Sequence, residues 1–98
     1  MIKINIRKDY IKISGHAMFD DYGKDIVCAA VSSIVITTVN GILNVEGDLI
    51  AYNQNDGLLE IKILKHSKVV DGLILNMINL LKDLQKQYEK NIQIIEEV

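Results

Sequence analysis

The fold of this chain depends on one stretch, residues 25–41, whose sequence is DIVCAAVSSIVITTVNG. Its β-branched centre, residues 31–39, is by itself typical of a strand. The apolar positions recur at three and four residues, however, Asp25 is an acceptable helix N-cap, and the asparagine–glycine pair at 40–41 offers a stop. The stretch also exceeds a typical strand of ~5–6 residues. We therefore predict a helix from Asp25 to about Leu43.

Two shorter segments ahead of this helix alternate polar and apolar residues, which is typical of half-buried strands. Residues 2–7 place three isoleucines on one face, and residues 10–14 repeat the pattern after a short turn. Gly15 ends the second of these predicted strands. His16 therefore lies at the mouth of a strand, and residues 17–24 form the loop that leads to the helix.

The second half of the chain contains the same kinds of pattern. Residues 45–52 and 58–64 are predicted strands, and the turn-forming sequence NQNDG at 53–57 joins them as a hairpin. Residues 67–88 carry the apolar stripe of a second helix, and residues 91–98 form a final strand.

The predicted element order defines the fold class. Strands joined in pairs by short turns favour an antiparallel sheet, and two apolar helix stripes need a sheet to cover them. The sequence thus predicts one α+β domain over residues 1–98, with a mainly antiparallel sheet, two helices packed on it and the order ββαββαβ.

Composition and charge exclude several classes of protein. The single cysteine among 98 residues cannot build a disulfide framework or a cysteine-rich zinc site, so we expect no metal. We also expect no cofactor. A net charge of −2 lacks the basic surface of a nucleic-acid binder, so no direct nucleic-acid binding is expected. No apolar run approaches the ~20 residues of a membrane span, and residues 1–7 do not resemble a signal peptide. We predict a cytoplasmic protein without membrane contact.

The single cysteine, Cys28, follows His16 by twelve residues. A thiol and an imidazole are the minimal pair for nucleophilic catalysis by cysteine, and a thiolate forms more easily near a helix N-terminus. Backbone N–H groups around residues 26–28, or in the glycine-containing loop, are the natural donors for an oxyanion. Ser32 lies one turn after Cys28 on the same helix face, where its hydroxyl can meet the thiol or a bound peptide.

No single residue stands out as the group that orients His16. Asp20, Asp21 and Asp25 are candidates, and a dyad without a third residue is a further option. The loop at 17–24 carries two adjacent apolar residues without periodic partners, so it is either a lid over the site or a segment packed on the core.

The spacing by itself favours a less specific interpretation of both residues. Cysteine is among the most often buried residue types, and Cys28 has apolar neighbours on both sides. A histidine that follows a strand is usually just the polar residue at which the strand ends, without a catalytic role. The second histidine, His66, lies near two lysines and is predicted to be a surface residue. On spacing alone, Cys28 is more often a core residue than a nucleophile.

A longer match around Cys28 reverses this balance. Residues 15–17 read GHA and residues 23–32 read GKDIVCAAVS. Together they resemble the signature of the ribosomal-processing cysteine protease family, Prp, which has a GHA element, a short loop and then GxDIVCAAVS. Every fixed position of that pattern is matched. The closing stretch YEKNI at 88–92 also looks like the family, although Glu89 stands where proline is common.

The resemblance implies a function and a set of roles. Members of the family remove a short N-terminal extension from large-subunit ribosomal protein L-twenty-seven, and they look like homodimers whose loop between the site residues is mobile until peptide binds. Carried over to this chain, Cys28 is the nucleophile and His16 the general base. Four further residues match motif positions as candidates for support or substrate binding: Gly15, Gly23, Asp25 and Ser32. On physical grounds Gly23 would give the loop freedom and Asp25 would cap the helix.

A second class of function remains open at this point. A small chain without an evident third catalytic residue can also be a non-catalytic module that binds a ribosomal protein or the ribosome. Such a module would bind its partner without cleaving it. Thiol redox chemistry is weaker, because the chain has no resolving cysteine.

Overall fold

The computed structural model describes residues 1–17, 20–21 and 24–97, and within them the chain forms five strands and two helices. The strands are β1 (Ile2–Arg7), β2 (Tyr10–Ser14), β3 (Ile50–Asn55), β4 (Leu58–Ile63) and β5 (Ile92–Glu96), and the helices are α1 (Ile26–Val45) and α2 (Lys68–Gln87). The predicted α+β class and the order ββαββαβ are confirmed.

The strands form one sheet in the order β3-β4-β2-β1-β5. Three neighbouring pairs, β1 with β2, β2 with β4 and β3 with β4, are antiparallel, which confirms the mainly antiparallel prediction. The last strand, β5, lies parallel to β1 at the sheet edge. Parallel neighbours need a long connection, and here the rest of the chain, ending in α2, supplies it.

One face of the sheet builds the core together with both helices. Strand alternation puts apolar partners of neighbouring strands on this face, such as Ile4 opposite Ile13 and Ile11 opposite Ile61. The buried residues of the helices belong to the same cluster: Val27, Val31, Val35, Val39 and Ile42 of α1, and Val70, Ile74, Met77 and Leu81 of α2. Both helices pack on the sheet, as predicted, and the shared cluster places them on the same side.

The ambiguous stretch is helical, and the helix is longer than predicted. The β-branched segment 31–39 forms a helix because burial of its apolar stripe on the sheet outweighs intrinsic propensity. The asparagine–glycine pair at 40–41 does not end the helix, since Ile42 in the next turn is fully buried. The N–H of Glu46 closes the last turn on the carbonyl of Ile42 at 2.9 Å, so α1 continues to Val45.

The prediction of a strand over residues 45–52 is wrong at its N-terminal end. Val45 belongs to α1, a turn follows, and β3 begins only at Ile50. The apolar residues Val45 and Leu49 suggested a strand that starts too early. Val45 instead continues the helix, and Leu49 is buried outside any strand.

The β3–β4 turn is shorter than the predicted segment 53–57. β3 extends to Asn55, which pairs with Leu58, so the turn is formed by Asp56 and Gly57 alone. Gly57 has a φ of 69°, which glycine adopts without strain, so two residues suffice to reverse the chain.

Helix α1 has no charged residue over its 20 positions. In the described segments it is the one helix that is long and apolar enough to cross a membrane, with a mean hydropathy of 2.1. The expectation that no apolar run approaches membrane length is therefore corrected, because small polar residues interrupt α1 without lowering its average hydropathy enough. The core helix of a soluble protein passes the same test, and α1 packs on the sheet. Its composition is weak support for a membrane span.

His66 lies between β4 and α2, and its side chain connects this segment to the β1–β2 turn and to the first turn of α2. These contacts are at the N-terminal end of β2, whereas His16 follows its C-terminal end. Its Nδ1 lies 2.7 Å from Oδ1 of Asp71 in the first turn of α2, and its Nε2 lies 2.6 Å from Oδ1 of Asp9 in the β1–β2 turn. A protonated ring donates from both nitrogens and so fits two carboxylates better than a neutral ring does. Hydrogen bonds to Asp71 and then to Asp9 raise the pKa of His66 above its ordinary value. His66 is exposed, as predicted.

We expect the stability contributed by His66 to depend on pH. Because the folded-state pKa is raised, the contribution is fully present below the unfolded value of about 6.5 and is lost as pH rises through the folded value. The difference in melting temperature between wild type and His66→Gln should therefore be largest near pH 5.5 to 6 and shrink towards pH 9. Calorimetry across that range measures it. A difference that grows with pH would contradict the assignment.

Candidate active site

Strand β2 and helix α1 bring His16 and Cys28 to one cleft of about 460 Å³. His16 follows β2 after Gly15, and Cys28 is the third residue of α1. Ser32, one turn further along α1, faces the same cleft, as its spacing predicts. Four of the six sequence-predicted site residues therefore meet here: Gly15, His16, Cys28 and Ser32.

Gly15 must be glycine for geometrical reasons. Its φ is 87°, and a Cβ at this position would lie 2.5 Å from the backbone oxygen of Met1. The tight passage directs the chain from the end of β2 into the cleft, so His16 begins the loop at a defined point.

Asp25 is the N-cap of α1, which confirms that prediction. Its Oδ1 accepts the N–H groups of Val27 at 2.9 Å and Cys28 at 3.0 Å. The expectation that N–H groups around residues 26–28 serve an oxyanion therefore fails for Val27 and Cys28, because the cap already uses both donors. The Oδ2 of Asp25 also accepts the N–H of Asp20 at 3.3 Å, which connects the loop to the helix start.

The other aspartates considered as partners for His16 serve the turn itself. Asp20 and Asp21 are both exposed, and Oδ1 of Asp20 accepts the N–H of Asp21 at 2.7 Å. A short aspartate side chain closes such turns on a neighbouring amide. Nothing in these contacts assigns either residue to His16.

The backbone of Ala17 faces the thiol. Its N–H lies 3.2 Å from Sγ of Cys28, and the residue is 1% exposed. An N–H donor beside sulfur stabilises negative charge on it, so Ala17 is placed to assist the sulfur as it attacks a carbonyl. Sequence reasoning missed this residue, because nothing in the order of residues in a loop shows where a backbone amide points.

The β3–β4 hairpin forms the other wall of the cleft, which the sequence analysis also missed. Residues 54–59 line it, and the N–H of Gly15 donates to the carbonyl oxygen of Gly57 at 2.9 Å. A Cβ built on Gly57 would lie 3.3 Å from Nε2 of His16, so the absent side chain leaves room for the imidazole. The aspartate–glycine pair predicted a turn, but only the pairing of β2 with β4 places it beside His16.

Some predictions fall outside the described residues. Gly23, proposed to give the loop freedom, is one, and so are Met18 and Phe19, on which the lid interpretation depends. In the described part of the chain no group of three or more histidine, cysteine, aspartate or glutamate side chains is arranged to hold a metal ion.

Comparisons with known proteins place this chain in a known family. The family model described as "Cysteine protease Prp" matches residues 1–93. The ribosomal processing cysteine protease Prp of Staphylococcus aureus is 32% identical over 85 residues, which cover 84% of this chain and 80% of that protein. Its counterpart from Mycoplasma genitalium is 46% identical over 55 residues, covering 56% of this chain and 52% of that protein.

Solved structures share the fold. The crystal structure of the S. aureus ribosomal processing protease Prp with a covalently linked product peptide superposes with a TM-score of 0.93 at 24% identity, covering 99% of this chain and 100% of that one. The same protease with a substrate peptide gives a TM-score of 0.82 at 23% identity, with coverage of 99% and 100%.

The class follows from the near-complete family match: the protein is a cysteine protease. More particularly, the chain belongs to the cysteine protease Prp family, because the family model covers almost all of it and the S. aureus relative is alike over most of both lengths. The resemblance noted in the sequence is thereby confirmed.

Proposed function

We propose that this protein removes the N-terminal extension of large-subunit ribosomal protein L-twenty-seven, with Cys28 as nucleophile and His16 as general base. The observation that carries the proposal is the shared cleft of these two side chains, with the Ala17 N–H on the sulfur. Relatives named as ribosomal processing proteases, and structures of one of them with peptides, support a ribosomal protein segment as the substrate. One domain, residues 1–98, carries the activity.

The first half of the reaction transfers an acyl group to sulfur. His16 takes the thiol proton, and the thiolate of Cys28 attacks the scissile carbonyl carbon, forming a C–S bond while the carbonyl π electrons move to oxygen. When the C=O bond re-forms, the C–N bond breaks, and the imidazolium of His16 gives its proton to the leaving amine. The N-terminal extension is then held as a thioester on Cys28, and the shortened protein leaves.

The second half restores the enzyme. His16 accepts a proton from a water molecule, which attacks the thioester carbon, and the C–S bond breaks as sulfur regains its proton from the imidazolium. The extension leaves as a free acid. Throughout, the peptide lies between α1, which presents Ser32, and the β3–β4 hairpin, whose residues 54–59 form the facing wall.

The direct test uses the organism's own ribosomal protein. Incubating it in its extended form with the wild-type enzyme should give two products, the shortened protein and the released extension, whose masses sum to that of the substrate plus one water. A version made without the extension is the control and should keep its mass. Stable binding with no cleavage would instead match a non-catalytic binding module and refute the proposal.

We also propose a homodimer in the cytoplasm that does not bind nucleic acid directly. Exposed apolar side chains of α1, namely Ile26, Leu43 and Val45, support the dimer, because association would remove them from water. The net charge of −2 supports the absence of nucleic-acid binding. Sedimentation equilibrium measures the mass directly, and a monomer at micromolar concentration would refute the dimer.

A further inference from the structure

We propose that Asn91 is a positioning residue for the active site, which holds Ala17 so that its N–H remains directed at Cys28. The proposal rests on the proposed function for its consequences in catalysis. Asn91 lies in the closing stretch at 88–92, far from the signature motif in sequence. The mechanism proposed above gives its side chain no role.

Asn91 reaches the site through one hydrogen bond. Its Nδ2 donates to the carbonyl oxygen of Ala17 at 2.9 Å, across 74 positions of sequence, in a partly buried setting. A backbone carbonyl only accepts, so the side-chain amide must present its NH₂ group here, and the orientation of the amide is settled by chemistry. The two polar groups of residue 17 are thus both engaged, the carbonyl with Asn91 and the N–H with the sulfur of Cys28.

Asn91 is itself firmly held by backbone contacts. Its carbonyl accepts the N–H of Ile2 at 2.9 Å, and its N–H donates to the carbonyl of Tyr88 at 2.9 Å. These bonds place it between the end of α2 and the start of β5, directly beside the first residue of β1. The side chain therefore extends from a turn whose backbone is bound both to the end of α2 and to β1, which is the right support for a residue that orients a loop.

The segment that Asn91 holds is short, and a second anchor lies at its start. Gly15 is bound to the hairpin turn through its N–H, and His16 follows it directly. Residues 15–17 are thus secured at one end by the hairpin and at the other by Asn91. Losing the anchor at Asn91 frees the Ala17 N–H to turn away from the sulfur, which removes a donor that stabilises the thiolate.

The test uses the fact that Cys28 is the single cysteine of the chain, so alkylation by iodoacetamide reports on it alone, without any substrate. In Asn91→Leu, which keeps a similar size but donates no hydrogen bond, we expect the alkylation rate of the folded protein at pH 7 to fall about tenfold, as for loss of a hydrogen bond to a charged group. Gln93→Leu removes an exposed amide two residues further along β5 and is the matched control, expected to react like wild type. Peptide cleavage by Asn91→Leu should lose kcat with KM little changed.

A purely structural role for Asn91 gives a different result. Circular dichroism first establishes that each variant is folded. Alkylation of folded Asn91→Leu at the wild-type rate, or faster because the loop has loosened, would overturn the proposal. If Asn91→Leu does not fold, Asn91→Ser decides in its place, because its shorter hydroxyl cannot span the gap to Ala17 and the same slowing is expected. A wild type that cleaves no ribosomal protein, combined with slower alkylation of the variant, would refute the proposed function and leave the positioning role supported.

Discussion

Replacing Cys28 by alanine is expected to lower cleavage of the extended ribosomal protein by a factor on the order of 10³ or more. The reason is chemical, since without sulfur no atom at this position can accept the acyl group. The fold should survive, because the substitution removes one atom from a half-buried side chain at the first turn of α1. Mass spectrometry of the product over time measures the rate, and thermal unfolding establishes that the variant is folded.

The matched control for Cys28→Ala is Ser33→Ala on the same helix. Ser33 is exposed and does not line the cleft, so its loss changes a comparable polar atom without touching the site. We expect Ser33→Ala to cleave like wild type. Wild-type cleavage by Cys28→Ala would show that Cys28 is not the nucleophile.

Replacing His16 by glutamine is expected to slow cleavage by about 10²- to 10⁴-fold, the range that a positioned acid–base group contributes. Glutamine keeps the size and hydrogen-bonding capacity of the side chain, but it cannot take up the thiol proton or return it to the leaving amine. Stability should change by at most about 0.5 kcal/mol, since His16 is exposed.

The second histidine provides the control for the first. His66→Gln makes the same chemical change at the opposite end of β2, where the side chain contacts Asp9 and Asp71 and not the cleft. Its cleavage rate should equal that of wild type at neutral pH. Equal rates for His16→Gln and wild type would exclude His16 as the general base and leave the base to be found elsewhere in the cleft.

The secondary structure was largely predictable because its signals are local. Alternating isoleucines in residues 2–7 and 10–14 define two strands, and Asp25 fits the N-cap that it forms. The errors lie where burial overrides local preference. The helix continues through Gly41 because Ile42 in its next turn is buried, and the strand expected from residue 45 begins only at Ile50.

The site was only half predictable, for a related reason. Side chains with distinctive chemistry, His16 and Cys28, can be recognised in a sequence together with the motif around them. The groups that surround them are ordinary: a backbone amide at Ala17, the bare Cα of Gly57 and the amide of Asn91. Their roles depend on direction and distance, which the order of residues does not encode locally.

The linear chain thus specified the element order, the helix cap, the pair of reactive side chains and the family to which they point, since each of these depends on neighbours within a few positions. Tertiary structure alone decided how the site is completed. Pairing of β2 with β4 brings the hairpin turn against His16, and pairing of β5 with β1 brings Asn91 to Ala17, 74 positions away. Contacts of that range exist only once the core has closed, because burial of the common apolar face sets the strand order that creates them.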